Sequence, residues 1–258
     1  MPNPLTTFIL DQIQHTVPAA VVLTCFVISM AYVRSPRAKA LIYSMPVPFS
    51  CAYLATRLPI NATHLTGLLL VVGYNWLVYL LRVKAKLPLI PVIVTAASGY
   101  FLAAMALRPL AGISLLWVAG VVVAVWLAVV LLHRPRPEPD HRSRTPWYVK
   151  APLIFAIAIG VYNATGLLAG GVGMFPYAGI FASYETRHSL RTLAGQFTLH
   201  VPGLLLCLLT IAATENRFPP PVPLLLGWVP VLGWAALVRW RQTRSDRPPS
   251  PGAPGDGN

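Results

Sequence analysis

Glu185 and His188 stand three residues apart in Tyr184-Glu185-Thr186-Arg187-His188. On a helix that spacing puts both side chains on one face, half of the set from which helix bundles build dinuclear metal sites. Such a site needs several further carboxylates, and none lies near in sequence. Glu185 is therefore expected as a charge at the edge of an apolar run, paired with Arg187 or Arg191. The stretch from Gly166 to Arg187 is the most unusual of the chain, with Gly166, Gly170, Gly171, Gly173, Pro176 and Gly179 close together. Proline removes a backbone hydrogen bond and glycine admits another backbone at short range. One reading is a discontinuous helix lining a cavity, with Asn163, Thr165, Gly171, Pro176, Tyr177 and Tyr184 as substrate-binding candidates. The competing reading is tight helix packing, because Gly166/Gly170 and Ala169/Gly173 have small-xxx-small spacing. His200, inside a later apolar run, joins the candidates. It can serve as a ligand or as a hydrogen-bonded interhelical residue, and His64 and Asn75 carry the same two readings. The sequence has no nucleotide-binding loop, Cys/His metal pattern or nucleophile elbow. No catalytic residue, metal or cofactor is expected, and the chain is not read as an enzyme.

The elements that must position these residues follow from composition. Of 258 residues, 56% are hydrophobic and 10% charged, against about 25% charged in a soluble domain. Mean hydropathy is +0.63. Seven acidic residues are too few to solvate a water-facing surface, so lipid is the expected surrounding. Cys25, Cys51 and Cys207 all lie inside apolar runs, as small packing residues do.

A crossing needs about 20 mostly apolar residues. Runs near 17–33, 40–57, 61–81, 87–107, 112–132, 151–167, 170–186, 194–213 and 221–238 meet that length, giving an all-α bundle of about nine transmembrane spans. The Pro- and Arg-rich segment 133–149 is a linker, and the Pro/Gly/Ser-rich tail 239–258 is read as disordered. The net charge of +13 follows the same alternation. With the N-terminus outside, the face opposite the cytoplasm keeps only Arg57, Arg108 and Arg217 of the 20 basic residues. That is the asymmetry of the positive-inside rule, and it argues against nucleic acid as the basic residues' partner. The location expected is the cell membrane, with the C-terminus cytoplasmic.

Residues 1–38 supply one extra helix and a turn, and the rest divides into halves of four spans, 39–132 and 150–238. Lys39-Ala40 and Lys150-Ala151 open the two halves. Tyr53-Leu54-Ala55-Thr56 stands against Tyr162-Asn163-Ala164-Thr165. Halves with even numbers of spans point the same way, so this pairing is a parallel repeat. The second half runs from Val149-Lys150-Ala151 through Gly170-Gly171-Val172-Gly173-Met174-Phe175-Pro176-Tyr177 to Ser189-Leu190-Arg191-Thr192. It resembles the GlpM-like small bacterial membrane proteins, four-helix chains with a Lys-Ala opening and a Gly-x-x-x-Phe-Pro second helix. The first half looks like a more distant copy without Phe-Pro. The resemblance implies a duplicated four-helix membrane unit. It brings no settled activity; transport is what is usually supposed.

Three functions suit this sequence. The first is a small permease or exporter passing a small-molecule substrate between the halves. The second is a non-transporting scaffold for a membrane partner or a second copy of itself. The third, a lipid-modifying enzyme, has the least support, since no acid, base or metal set converges near a membrane face.

Overall fold

The computed structural model is described over residues 4–33, 35–56, 58–132, 146–168 and 174–245, with side chains described outside 4–15, 36, 56, 161–168 and 245. All its regular elements are helical: α1 (Pro4–Tyr32), α2 (Pro36–Tyr43), α3 (Val47–Thr56), α4 (Ala62–Tyr79), α5 (Leu89–Ala106), α6 (Leu115–Leu132), α7 (Trp147–Leu168), α8 (Tyr177–Glu185), α9 (Leu190–Thr214) and α10 (Pro221–Ser245). A π turn, Leu80–Lys84, prolongs α4, and a 3-10 turn, Arg108–Gly112, leads from α5 to α6. Five helices are long and apolar enough to cross a membrane: Ala62–Lys84, Leu89–Ala106, Leu115–Leu132, Leu190–Thr214 and Pro221–Arg244. The all-α expectation holds. Residues 133–145 of the linker and the end of the tail lie outside the described residues, but α7 already starts at Trp147, inside the expected linker, and α10 continues past position 238 to Ser245.

Two expected crossings are not single helices. The run 40–57 is divided at Ser44-Met45-Pro46 into α2 and α3. Pro46 and Pro48 have no amide proton to donate, so the hydrogen-bond ladder cannot pass through them. Ser50 closes the break, donating its backbone N–H (2.7 Å) and its hydroxyl (2.6 Å) to the Pro46 carbonyl. The run 170–186 falls partly outside the described residues. Within them, Phe175 and Pro176 are not helical and α8 starts at Tyr177.

The bundle is built round α4 and α9, which pack against each other. Asn61 caps α4: its side chain accepts from the Thr63 N–H at 3.1 Å, while the Asn61 N–H donates to His64 Nδ1 at 3.2 Å. His64 is thereby occupied in a capping box. α5 and α6 lean on α4, α10 lies along α9, and α1 packs on α7. Glycines set the closest approach of α9 and α10. A Cβ on Gly203 would meet Trp234 Cβ at 3.0 Å, and one on Gly227 would meet Cys207 Sγ at 3.0 Å. Cys51 and Cys207 are buried in the apolar core, as expected of packing residues, while Cys25 is exposed.

Candidate functional site

The break between α2 and α3 and the non-helical residues ahead of α8 lie against each other. Pro176 and Tyr177, both singled out from sequence, are buried there. The Tyr177 hydroxyl donates to the Pro48 carbonyl at 2.7 Å, so one break is pinned directly to the other. Pro48 lies in the first turn of α3, just after the break. Tyr43, the last residue of α2, packs its ring on Phe197 of α9 at 5.0 Å between centroids. Its hydroxyl lies over Gly179 of α8 and accepts from Asn75 Nδ2 at 3.3 Å. Asn75 also donates to the Val71 carbonyl at 2.8 Å. Its Oδ1 is buried with no hydrogen-bond partner among the described residues.

A cavity of about 50 Å³ opens between these segments, bounded by Tyr43, Ser44, Pro46, Met174, Phe175 and Tyr177 with Val71 and Leu204 behind them. Buried irregular backbone is costly unless its polar groups find partners or line a wet space. Here the hydroxyls of Ser44, Ser50 and Tyr177 supply those partners. Gly67 of α4 makes room for the second break, since a Cβ there would meet Met174 Cβ at 2.7 Å. Tyr100 of α5 stacks edge-on against Phe175, 5.4 Å between centroids. The small-residue pairs Gly166/Gly170 and Ala169/Gly173, on which the packing reading rests, lie outside the residues whose packing is described.

Other sequence candidates are distributed differently. Asn163 and Thr165 fall in α7, but their side chains lie outside the described residues, as does Gly171 entirely. Tyr184 stands at the far end of α8, where the Arg187 guanidinium lies 5.3 Å from its ring centre. His200 faces a separate cavity between α2, α9 and α10. The structure thus brings Pro176 and Tyr177 together and leaves Tyr184 and His200 elsewhere.

Glu185 requires a correction. It is only 3% exposed, and its ion partner is Lys150 of α7, Nζ to Oε1 2.5 Å, in place of the expected Arg187 or Arg191. Lys39 of α2, 1% exposed, lies within electrostatic reach of the same carboxylate. α8 ends at Glu185, so His188 sits in the following turn and is exposed. The two do not share a helical face, and the Glu-x-x-His geometry is not formed. At the other end of the bundle Glu215 follows α9. It accepts from the Ile60 N–H at 3.1 Å and from the Tyr53 hydroxyl at 3.5 Å. Burial pushes its carboxyl above the ordinary range, an effect those two hydrogen bonds oppose without cancelling.

Sequence reasoning missed Tyr43 and Ser44, while Asn75, weighed there as an interhelical residue or ligand, hydrogen-bonds across to Tyr43. The signal was present in Ser44-Met45-Pro46-Val47-Pro48, two prolines inside an apparent crossing. No family model, curated protein or solved structure matches the chain.

Proposed function

We propose that this protein is a multi-pass integral membrane protein of the cell membrane that acts as a small permease or exporter. Its long apolar helices cross the bilayer, its basic loops face the cytoplasm, and its solute passes the two crossing breaks. One observation carries the reading: the break 44–46 and the non-helical Phe175-Pro176 ahead of α8 are tied together by the Tyr177–Pro48 hydrogen bond. Discontinuous helices paired at mid-depth are how many transporters build a site that can open to either side.

The packing of the helices favours a repeat one helix out of step with the pairing of Lys39-Ala40 and Lys150-Ala151. Matching α1 with α7, α2/α3 with α8, α4 with α9 and α5 with α10 sets each broken segment against the other. α1 then packs on its counterpart α7, and α4 on its counterpart α9. The cross-contacts are reciprocal: α1 touches α8, and α3 touches α7. Sequence agrees at the helix ends. Ala52-x-x-x-Thr56-Arg57 closes the first broken segment and Ala182-x-x-x-Thr186-Arg187 the second. Pro88-x-x-Pro91 opens α5, and Pro220-x-x-Pro223 opens α10. With α2 and α3 counted as one crossing, α1 is the first and α7 the sixth, so the two units run in opposite directions. The repeat is inverted.

Cysteine accessibility tests this without a known substrate. Ser44→Cys is placed in a chain whose three cysteines are replaced by alanine and treated with a membrane-impermeant maleimide. Labelling from each side of oriented vesicles is the expected result. Labelling from one side only would describe a fixed cleft and transfer weight to a scaffold. Labelling from neither side would remove the pathway.

A further inference from the structure

A second cavity, larger than the central one, lies at the end of the bundle where α2 begins and α10 ends. Its volume is about 240 Å³, just below the range of drug-sized ligand pockets, roughly 300 to 1,000 Å³. Three helices form it. Ser35 and Arg37 come from the start of α2, Gln196 and His200 from α9, and Arg239 and Gln242 from α10. The spacing explains the convergence. Positions 196 and 200 share one face of α9, as do 235, 239 and 242 of α10.

The lining is rich in hydrogen-bond donors and, among the described residues, contains no carboxylate. Two guanidinium groups stand at an exposed rim. The Ser35 hydroxyl oxygen accepts from the Ala38 N–H, which leaves its proton to donate. Gln242 Nε2 donates to Gln196 Oε1 at 2.9 Å, which leaves the Gln196 amide nitrogen as a donor. His200 supplies the independent sign of a ligand. It is 5% exposed, borders the cavity, and makes no hydrogen bond to a described residue. A group entering this cavity would give its ring a hydrogen-bond partner.

We infer that this cavity is an anion site that takes one phosphoryl group between Arg37 and Arg239, with His200 as the donor at its base. Guanidinium groups match phosphate oxygens in paired hydrogen bonds that a lysine cannot reproduce. Basic pockets between helices near a membrane face take anionic headgroups in this way. The phosphoryl group belongs either to an anionic lipid or to a small soluble phosphate, and the two sources share the chemistry.

The test is thermal unfolding of the detergent-purified full chain. Phosphatidylglycerol is compared with phosphatidylcholine, and inorganic phosphate with chloride at equal ionic strength. A ligand at a hundred times its dissociation constant raises the ratio of folded to unfolded protein about a hundredfold. A rise with phosphatidylglycerol alone assigns the site to a lipid headgroup, and a rise with phosphate assigns it to a soluble anion. Arg37→Gln/Arg239→Gln abolishes the rise. Arg37→Lys/Arg239→Lys keeps the net charge yet loses most of it. His200→Asn weakens it. Two results overturn the assignment: no rise over either control, or an undiminished rise in the double-glutamine variant. The arginines would then serve topology alone.

Discussion

α6 and α9 are both long and apolar enough to cross a membrane but have opposite surroundings. α6, Leu115–Leu132, is the most apolar of the long helices, yet only 11% of its apolar window is buried. It holds Leu116, Trp117, Leu131 and Leu132 more than three-quarters exposed and has no charged or hydroxyl-bearing residue. α9 is less apolar and 56% buried. It carries Gln196, Thr198 and His200, and Thr198 accepts from the Trp76 indole at 3.2 Å. In a water-soluble protein the order is reversed, with the most apolar helix deepest. Here polarity follows burial. That is the pattern of a bundle whose outer solvent is lipid, where polar groups must find partners inside the protein.

The largest expected effect probes the polar interior. Glu185→Ala leaves Lys39 and Lys150 beside each other without their shared carboxylate. Uncompensated buried charge of this kind costs about 3–5 kcal/mol. A collapse of the unfolding midpoint is expected, with partial recovery when Lys39→Met is added. A midpoint within a degree or two of wild type would mean that water reaches this cluster.

The next prediction attacks the outer surface. Leu127 is 45% exposed on α6, and Leu127→Arg at the middle of a lipid-facing helix costs about 2.5–3.5 kcal/mol by insertion scales. The fraction of α6 inserted should fall in a translocation reporter assay. Unchanged insertion and yield would break the comparison, because α6 would then face water or another protein.

A smaller effect sharpens the interior side. Gly179→Ala drives a methyl into the Tyr43 hydroxyl. Overpacking of this sort costs about 1–3 kcal/mol, read as a lower unfolding midpoint. Tyr43→Phe in the same chain should restore part of the loss.

The smallest effect concerns pH. The fold favours the protonated form of Glu215, so its stabilising contribution is complete below the ordinary value of 4.5 and fades as pH rises through the raised one. Glu215→Gln keeps a neutral acceptor for the Ile60 N–H at every pH. The midpoint difference between Glu215→Gln and wild type should therefore grow across that interval and level off above it. A flat difference would contradict the buried setting of this carboxyl.

The long helices were legible because apolar length is a local property. The runs at 61–81, 87–107, 112–132, 194–213 and 221–238 need nothing beyond hydropathy, and each is a helix. The breaks were harder. Pro46 and Pro48 sit in a run apolar enough to pass for one crossing, and only the packing of Tyr43 and Tyr177 shows where the chain turns aside. The Glu185 partner was hidden for a different reason. Lys150 is 35 residues away, whereas local helix spacing offers only Arg187 and Arg191. Pro176 and Tyr177 were found because proline and glycine mark irregular backbone wherever they cluster. His200 gave no sign that it lines one cavity with Arg239, since α9 and α10 meet through a turn that sequence does not orient.

α6 has a further meaning for how such a chain could arise. Two copies of a four-crossing unit joined end to end enter the membrane the same way up. A single added crossing between them delivers the second copy upside down. A helix with that duty needs length and greasiness and little else, which suits its nearly featureless run of valine, leucine and alanine. If the two units are the inverted repeat proposed above, α6 is the spacer between them, the crossing that lets one polypeptide hold both orientations at once.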